Sequence, residues 1–198
     1  ITVDDLIKAC VVMSANDAAV VLAEAVAGSE DAFVERMNAR AKELGMVDTH
    51  FVNTNGLPVA DHYSSAYDIA VMSKKLYAFE ETHKWFTTWQ STTTVGLPGK
   101  EKEFGLTNTN KLIRLLDGCD GGKTGSTNEA KYCVSATAQR GGMRLIAIVL
   151  GASASQTRFN EARAMMDYGF ATYKRTQVIS AGELTGYAIP VRRGAQDT

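Results

Sequence analysis

Apolar residues up to Trp89 recur at helical spacing, whereas beyond it they run in β-branched and alternating stretches. Leu6, Ile7, Cys10 and Val11 fall at three- and four-residue intervals, the rhythm of one helix face, and predict a helix over Val3–Met13. Thr2 stands at its N-cap, with Asp5 placed to complete a capping box. The helix stops near Ser14-Ala15-Asn16. The next segment, from Asp17 to Ala27, is apolar on nearly every side, which is the pattern of a central buried helix. Gly28 follows where a left-handed residue commonly ends a helix. Ser29 then caps a third helix, 30–44, whose stripe is Phe33, Met37, Ala41 and Leu44, closed by Gly45. A polar loop through Asn53, Asn55, Gly56 and Pro58 leads to a helix over 66–79, capped by Ser64 or Ser65, with Ile69, Met72 and Leu76 inward. A short helical piece is predicted over 81–86.

The period changes after Trp89. Ser91 to Val95 is β-branched and reads as a strand. Two further strands are predicted over 131–139 and 144–152, joined by the hairpin signal Arg140-Gly141-Gly142-Met143. A last helix over 155–173 places Phe159, Ala162, Met166, Phe170 and Tyr173 on one side. The tail from Gln177 to Thr198 is strand-like and punctuated by glycine. These elements predict an α+β fold, a helical lobe packed on an antiparallel sheet.

Composition narrows the functional classes. Apolar residues make up 45% of the 198 and charged residues 22%, enough apolar material for a core without disulfide or metal staples. A net charge of −1 does not favour a polyanion-binding surface, so nucleic acid is not an expected partner. No apolar run approaches the ~18 residues that cross a bilayer; the longest candidate, Ala18 to Gly28, contains Glu24. Cys10, Cys119 and Cys133 cannot all pair within the chain, show no C-x-x-C spacing, and read as buried free thiols. His50, His62 and His83 are few and scattered, with no H-E-x-x-H, so neither a metal nor another cofactor is expected.

Two short elements carry candidate chemistry. In Lys123-Thr124-Gly125-Ser126, read as lying at a strand start, the lysine offers a positive charge and the threonine a hydroxyl donor. The glycine lets an extended ligand approach the backbone closely. That combination suits recognition of a carboxylate on a peptide added as an extra strand. The glycine spacing before Lys123 does not fit a nucleotide-binding P-loop. Ser14 and Asn16, two apart at a helix junction, would each pass for a cap if taken alone.

Together, Ser-x-Asn followed far downstream by Lys-Thr-Gly is two-thirds of a signature shared by penicillin-binding proteins and class A β-lactamases. The surrounding words are MSANDAAVVLAEAVAGSEDAF, HFVNTNGL, YSSAYDIAVMSK, NTNKL, DGGKTGSTNEAKYC and TRFNEARAMMDYGF. With these, the chain resembles the serine-type D-alanyl-D-alanine carboxypeptidases, the low-molecular-mass penicillin-binding proteins, over roughly residues 1–175. The resemblance implies the penicillin-binding-protein/β-lactamase-like transpeptidase fold. It divides the chain into a catalytic domain, 1–175, and a linker with the start of a β-rich domain, 176–198. The implied substrate is a peptidoglycan stem peptide ending in D-Ala-D-Ala, and β-lactams are the implied inhibitors. The implied location is outside the cytoplasmic membrane.

By resemblance, Ser14 relays a proton toward the leaving amine and Asn16 binds the substrate amide. Lys123 and Thr124 grip the terminal carboxylate, and Gly125 lets the ligand lie close. Ser126 lends its N–H to the oxyanion hole, and Arg158 supports the carboxylate pocket. The departure is at the nucleophile. The family serine belongs to a Ser-x-x-Lys element, and no lysine of this chain has a serine three residues earlier. The chain therefore reads as a fragment that is inactive alone. A separate chain carrying that segment would be a partner able to complete the site. A β-lactamase is the nearest alternative enzyme, but Glu35-Arg36-Met37-Asn38 has the wrong spacing for the class A deacylating segment. A non-catalytic module binding peptidoglycan peptides is the alternative from a different class.

Overall fold

Thr2 opens the first helix from both sides. In the computed structural model, which describes residues 1–176 and Val178, Thr2 Oγ1 accepts from the Asp5 amide at 3.1 Å. The Asp5 carboxylate in turn accepts from the Thr2 amide at 3.3 Å. Helix α1 (Val3–Met13) follows and ends at Ser14, a left-handed residue with φ 63°. Helix α2 (Asn16–Ala27) ends at Gly28, and α3 (Glu30–Glu43) is capped by Ser29, whose hydroxyl accepts from the Ala32 amide. Helix α4 (Ala66–Leu76) is capped by Ser65 through the Asp68 amide. A 3-10 turn, Glu80–Thr82, and α5 (His83–Phe86) complete the helical lobe.

The later chain forms two antiparallel sheets. Strands β1 (Gln90–Val95) and β2 (Lys102–Thr107) make a hairpin. A short helix α6 (Leu112–Leu115) leads into β3 (Cys119–Thr127), β4 (Lys131–Arg140) and β5 (Met143–Ala152), ordered β3-β4-β5. The turn between β4 and β5 holds Gly141 and Gly142 at φ 54° and 75°, the left-handed pair a two-residue hairpin requires. Helix α7 (Ser155–Thr172) packs on β4 and β5, burying Phe159, Ala162 and Met166 against Val134, Ala136 and Ala147. Helix α4 lies against β5 and β4 and touches the sheet through Ser73 Oγ and Ser135 Oγ, 2.9 Å apart. The α+β architecture expected from the sequence is therefore the one observed, with helices on both sides of the three-stranded sheet.

Several boundaries and burials differ from the sequence reading. Helix α2 is not buried all round: Ala18 and Ala23 are, but Val21 and Val26 are 43% and 57% exposed. It packs against α1 and α3, and apolarity on every side does not say which sides meet a neighbour. Tyr173 is exposed rather than part of the α7 stripe, because the helix stops one residue before it. Strand β2 and helix α6 went unread, since Lys102, Glu103 and Gly105 weaken the β pattern that pairing with β1 enforces. Lys123 lies in the middle of β3 rather than at its start. The two glycines before it disguise the strand. Gly122 has φ 130°, and a Cβ there would overlap the Ser135 carbonyl of the neighbouring strand; a Cβ on Gly121 would come 2.6 Å from Phe86 Cβ. The tail read as the start of a second domain lies, Val178 apart, outside the described residues.

Candidate active site

Register decides which way Lys123 points. It pairs with Ser135 on β4, and residues directly opposite in an antiparallel pair share a face. Ser135 faces α4 in the helical lobe, so Lys123 faces that lobe too. Its Nζ donates to Ser14 Oγ across 109 residues of sequence, and to the Thr124 carbonyl at 2.8 Å. Ser14 meets it because the left-handed turn after α1 swings the hydroxyl out of the helix line.

Electrostatics follow from the packing. Lys123 is half-buried, and burial holds its ammonium below the ordinary lysine pKa, with the Arg158 cation acting in the same direction. One turn before Ser14 on α1, the Cys10 thiol is pushed up by burial. All three cysteines are free thiols and only half-buried.

Beside Lys123, Thr124 is buried at 7% exposure and donates to Thr109 Oγ1 at 2.6 Å. Gly125 and Ser126 are exposed, and a Cβ on Gly125 would meet no atom within 4 Å. The outer face of β3 at this point is open to an approaching ligand. Asn16 opens α2 two residues after Ser14, with its residue exposed.

Arg158 sits behind the strand. It is only 7% exposed, although an arginine in a first helical turn is ordinarily solvated. Its Nη1 donates to the carbonyls of Gly125 and Cys133 at 2.9 and 3.1 Å, and Nη2 to Ser155 Oγ at 3.2 Å. The guanidinium also lies 5.5 Å from the Tyr132 ring and 4.8 Å from that of Phe159. It thus fixes the backbone of Gly125 from the rear. Replacing it by Met in the full-length protein should leave two carbonyls without their charged donor and cost about 2–3 kcal/mol. A urea midpoint unchanged from wild type would show that water supplies those bonds equally well.

The structure thus brings Ser14, Lys123, Thr124, Gly125 and Arg158 together around one stretch of β3. Sequence reasoning did not single out Asn108-Thr109-Asn110, although these residues lie within the quoted NTNKL. The Thr109 amide donates to the Val12 carbonyl at 3.0 Å. Asn110, fully buried, donates to the Gly121 carbonyl at 3.1 Å. This segment ties the end of α1 to the glycine pair ahead of Lys123.

Comparison with known proteins shows what the chain as a whole is similar to. The model of the D-alanyl-D-alanine carboxypeptidase family matches residues 1–154. The chain is 42% identical over 195 residues to the D-alanyl-D-alanine carboxypeptidase DacF of Bacillus subtilis, covering 98% of this chain and 49% of the relative. It is 36% identical to DacC of Escherichia coli, covering 88% of this chain and 42% of that protein. Among solved structures, the Streptomyces K15 DD-transpeptidase superposes with a TM-score of 0.82 at 31% identity, covering 86% of this chain and 68% of that one. Penicillin-binding protein D2 of Listeria monocytogenes, in its ampicillin-bound form, superposes with a TM-score of 0.75 at 39% identity, covering 85% and 68%. The chain spans about half the length of the curated relatives it matches.

Proposed function

Because this chain belongs to the D-alanyl-D-alanine carboxypeptidase family, we propose that it forms most of the active site of an enzyme removing the terminal D-alanine from peptidoglycan stem peptides. The observation that carries this reading is the contact of Lys123 with Ser14, which joins two of the family's three signature elements at one place. The third, Ser-x-x-Lys, does not occur in this sequence, and the proposed reaction draws it from the remainder of a longer protein or from a separate chain. β-Lactams, which resemble the substrate as acylating agents, are expected to react at the same centre. The expected location is the cell envelope, where peptidoglycan lies. Among the described residues no helix is long and apolar enough to cross a membrane.

The proposed route is acyl transfer. The serine of Ser-x-x-Lys attacks the carbonyl carbon of the D-Ala–D-Ala bond, its proton passing to the neighbouring lysine. The developing oxyanion is held by the Ser126 N–H and that of the attacking serine. The C–N bond breaks as Ser14 passes a proton to the leaving amine, releasing D-alanine. Water then cleaves the acyl-enzyme. Asn16 hydrogen-bonds the substrate amide. The Lys123 ammonium and the Thr124 hydroxyl hold the terminal carboxylate while Gly125 lets the peptide backbone lie against β3. Arg158 keeps that strand in place from behind. A carboxylate grip of this kind favours removal of a terminal residue over internal cleavage.

Release of D-alanine from a peptide ending in D-Ala-D-Ala by the full-length protein is the direct test, and a protein that binds the peptide without releasing D-alanine would be a recognition module instead. The pH dependence adds a specific expectation. Carboxylate binding needs Lys123 protonated, so it is complete at low pH and lost as pH rises through the lysine's pKa. Burial lowers that pKa from its ordinary value of 10.5. The alkaline limb of kcat/KM should therefore fall below 10.5, and Lys123→Arg should move it upward. A limb unmoved by that substitution would assign it to another group.

A further inference from the structure

Thr124 carries a single hydroxyl proton, and the hydrogen-bond partner of its oxygen lies inside the protein. Its Oγ1 donates to Thr109 Oγ1 at 2.6 Å. An oxygen whose proton is directed at Thr109 offers only lone pairs to a ligand, and lone pairs repel a carboxylate. Holding a carboxylate requires the bond between the two threonines to reverse: Thr109 must donate to Thr124 Oγ1, while Thr124 turns its proton outward. In the reversed bond the Thr109 donor fixes the Thr124 hydroxyl with its proton outward; a residue without a hydroxyl at position 109 leaves that proton free to rotate away from the ligand.

The surroundings of Thr109 keep it in place for this. Its amide is tied to the Val12 carbonyl. Both neighbours are buried asparagines with their side chains committed. Asn108 donates to the Thr88 carbonyl at 2.9 Å and accepts from the Asn110 amide at 2.8 Å. Asn110 donates to Gly121 and accepts from the Leu112 amide at 3.1 Å. The backbone on either side of Thr109 is thereby pinned, which holds its Cα and Cβ beside Thr124. Thr109 itself is half-buried, so its own proton can face solvent until a ligand arrives.

We infer that Thr109 is a positioning residue for carboxylate recognition, the second member of a reversible hydroxyl pair that orients the Thr124 proton toward the substrate. The inference rests on the reading of Lys123 and Thr124 as the carboxylate grip. It acts through Thr124 and makes no contact with the scissile bond.

The test uses the full-length enzyme and two acyl thioesters that differ only in whether the leaving group carries a carboxylate. Thr109→Val keeps the shape and removes the hydroxyl. It should lower kcat/KM about tenfold for the carboxylate-bearing thioester, the worth of one hydrogen bond, and leave the other within about twofold. Thr109→Ser should restore the wild-type ratio. Thr109→Ala, which removes the hydroxyl without crowding, must reproduce the valine result and stands in if valine impairs folding. An equal loss on both thioesters would make Thr109 merely structural, and no loss on either would show that Thr124 needs no second hydroxyl; each overturns the inference. A wild-type enzyme that turns over both thioesters equally would instead overturn the carboxylate grip itself, and the inference with it.

Discussion

Incubated with a labelled penicillin, the 198-residue chain alone is expected to gain no mass. None of its lysines stands three residues after a serine, so the acylated nucleophile of the proposed reaction is not in this sequence. In subtilisin, loss of the serine nucleophile lowers turnover by about 10⁶, and a comparable loss would put acylation beyond detection. The interesting competitor is Ser14. It accepts a hydrogen bond from Lys123, and burial shifts that lysine toward its neutral, basic form. To act as a nucleophile Ser14 would have to reverse that bond and donate its proton to a neutral Lys123. Intact-protein mass spectrometry separates the two cases. A stoichiometric adduct mapping to Ser14 would transfer the nucleophile's role to it and undo the proposed relay. Mixing in a polypeptide that carries the Ser-x-x-Lys segment should produce an adduct on that polypeptide. Rapid turnover of a chromogenic cephalosporin by the completed protein would point to a β-lactamase.

In the full-length enzyme, Lys123→Met should lower kcat/KM by about 10²–10³, the range for removing one partner of a buried charged pair. The same substitution should change stability little. The lowered pKa gives one contribution: the folded state holds the lysine proton less tightly than the unfolded chain does, so the charged side chain opposes folding. Methionine removes that opposition and keeps the packing of the stem, but it leaves the Ser14 hydroxyl and the Thr124 carbonyl without their donor, so the two effects offset. Activity and the urea midpoint should therefore move independently. Parallel losses in both would show that Lys123 chiefly braces β3 against the helical lobe.

Local chemistry was the most legible part of the fold. Thr2, Ser29 and Ser65 cap their helices because a hydroxyl beside a free amide is a short-range event written in a few consecutive residues. The hairpin at Gly141-Gly142 was legible for the same reason. What escaped depends on partners far along the chain. Strand β2 exists because β1 pairs with it, and its own residues argue weakly for a strand. Arg158 is buried because carbonyls of Gly125 and Cys133, 33 and 25 residues away, accept from it. Apolarity all round α2 does not set its burial, which depends on which elements lie alongside. At the site, Ser14 and Lys123 were legible as a pair through their motifs. Thr109 was not: its role is visible only when β3 is laid beside the end of α1. The first half of β3 is hidden in the sequence because Gly121 and Gly122 look like a loop until Phe86 and the Ser135 carbonyl are seen to exclude any side chain there.

Ser14 adopts φ 63°, a conformation that typically costs a side-chain-bearing residue about 1–3 kcal/mol. Glycine would occupy the same turn at no such cost, and would lose the hydroxyl. Selection for heat resistance alone would therefore drift toward glycine at this corner and discard the group that touches Lys123. On the proposed relay role of Ser14, the strain at this bend is durability given up for chemistry.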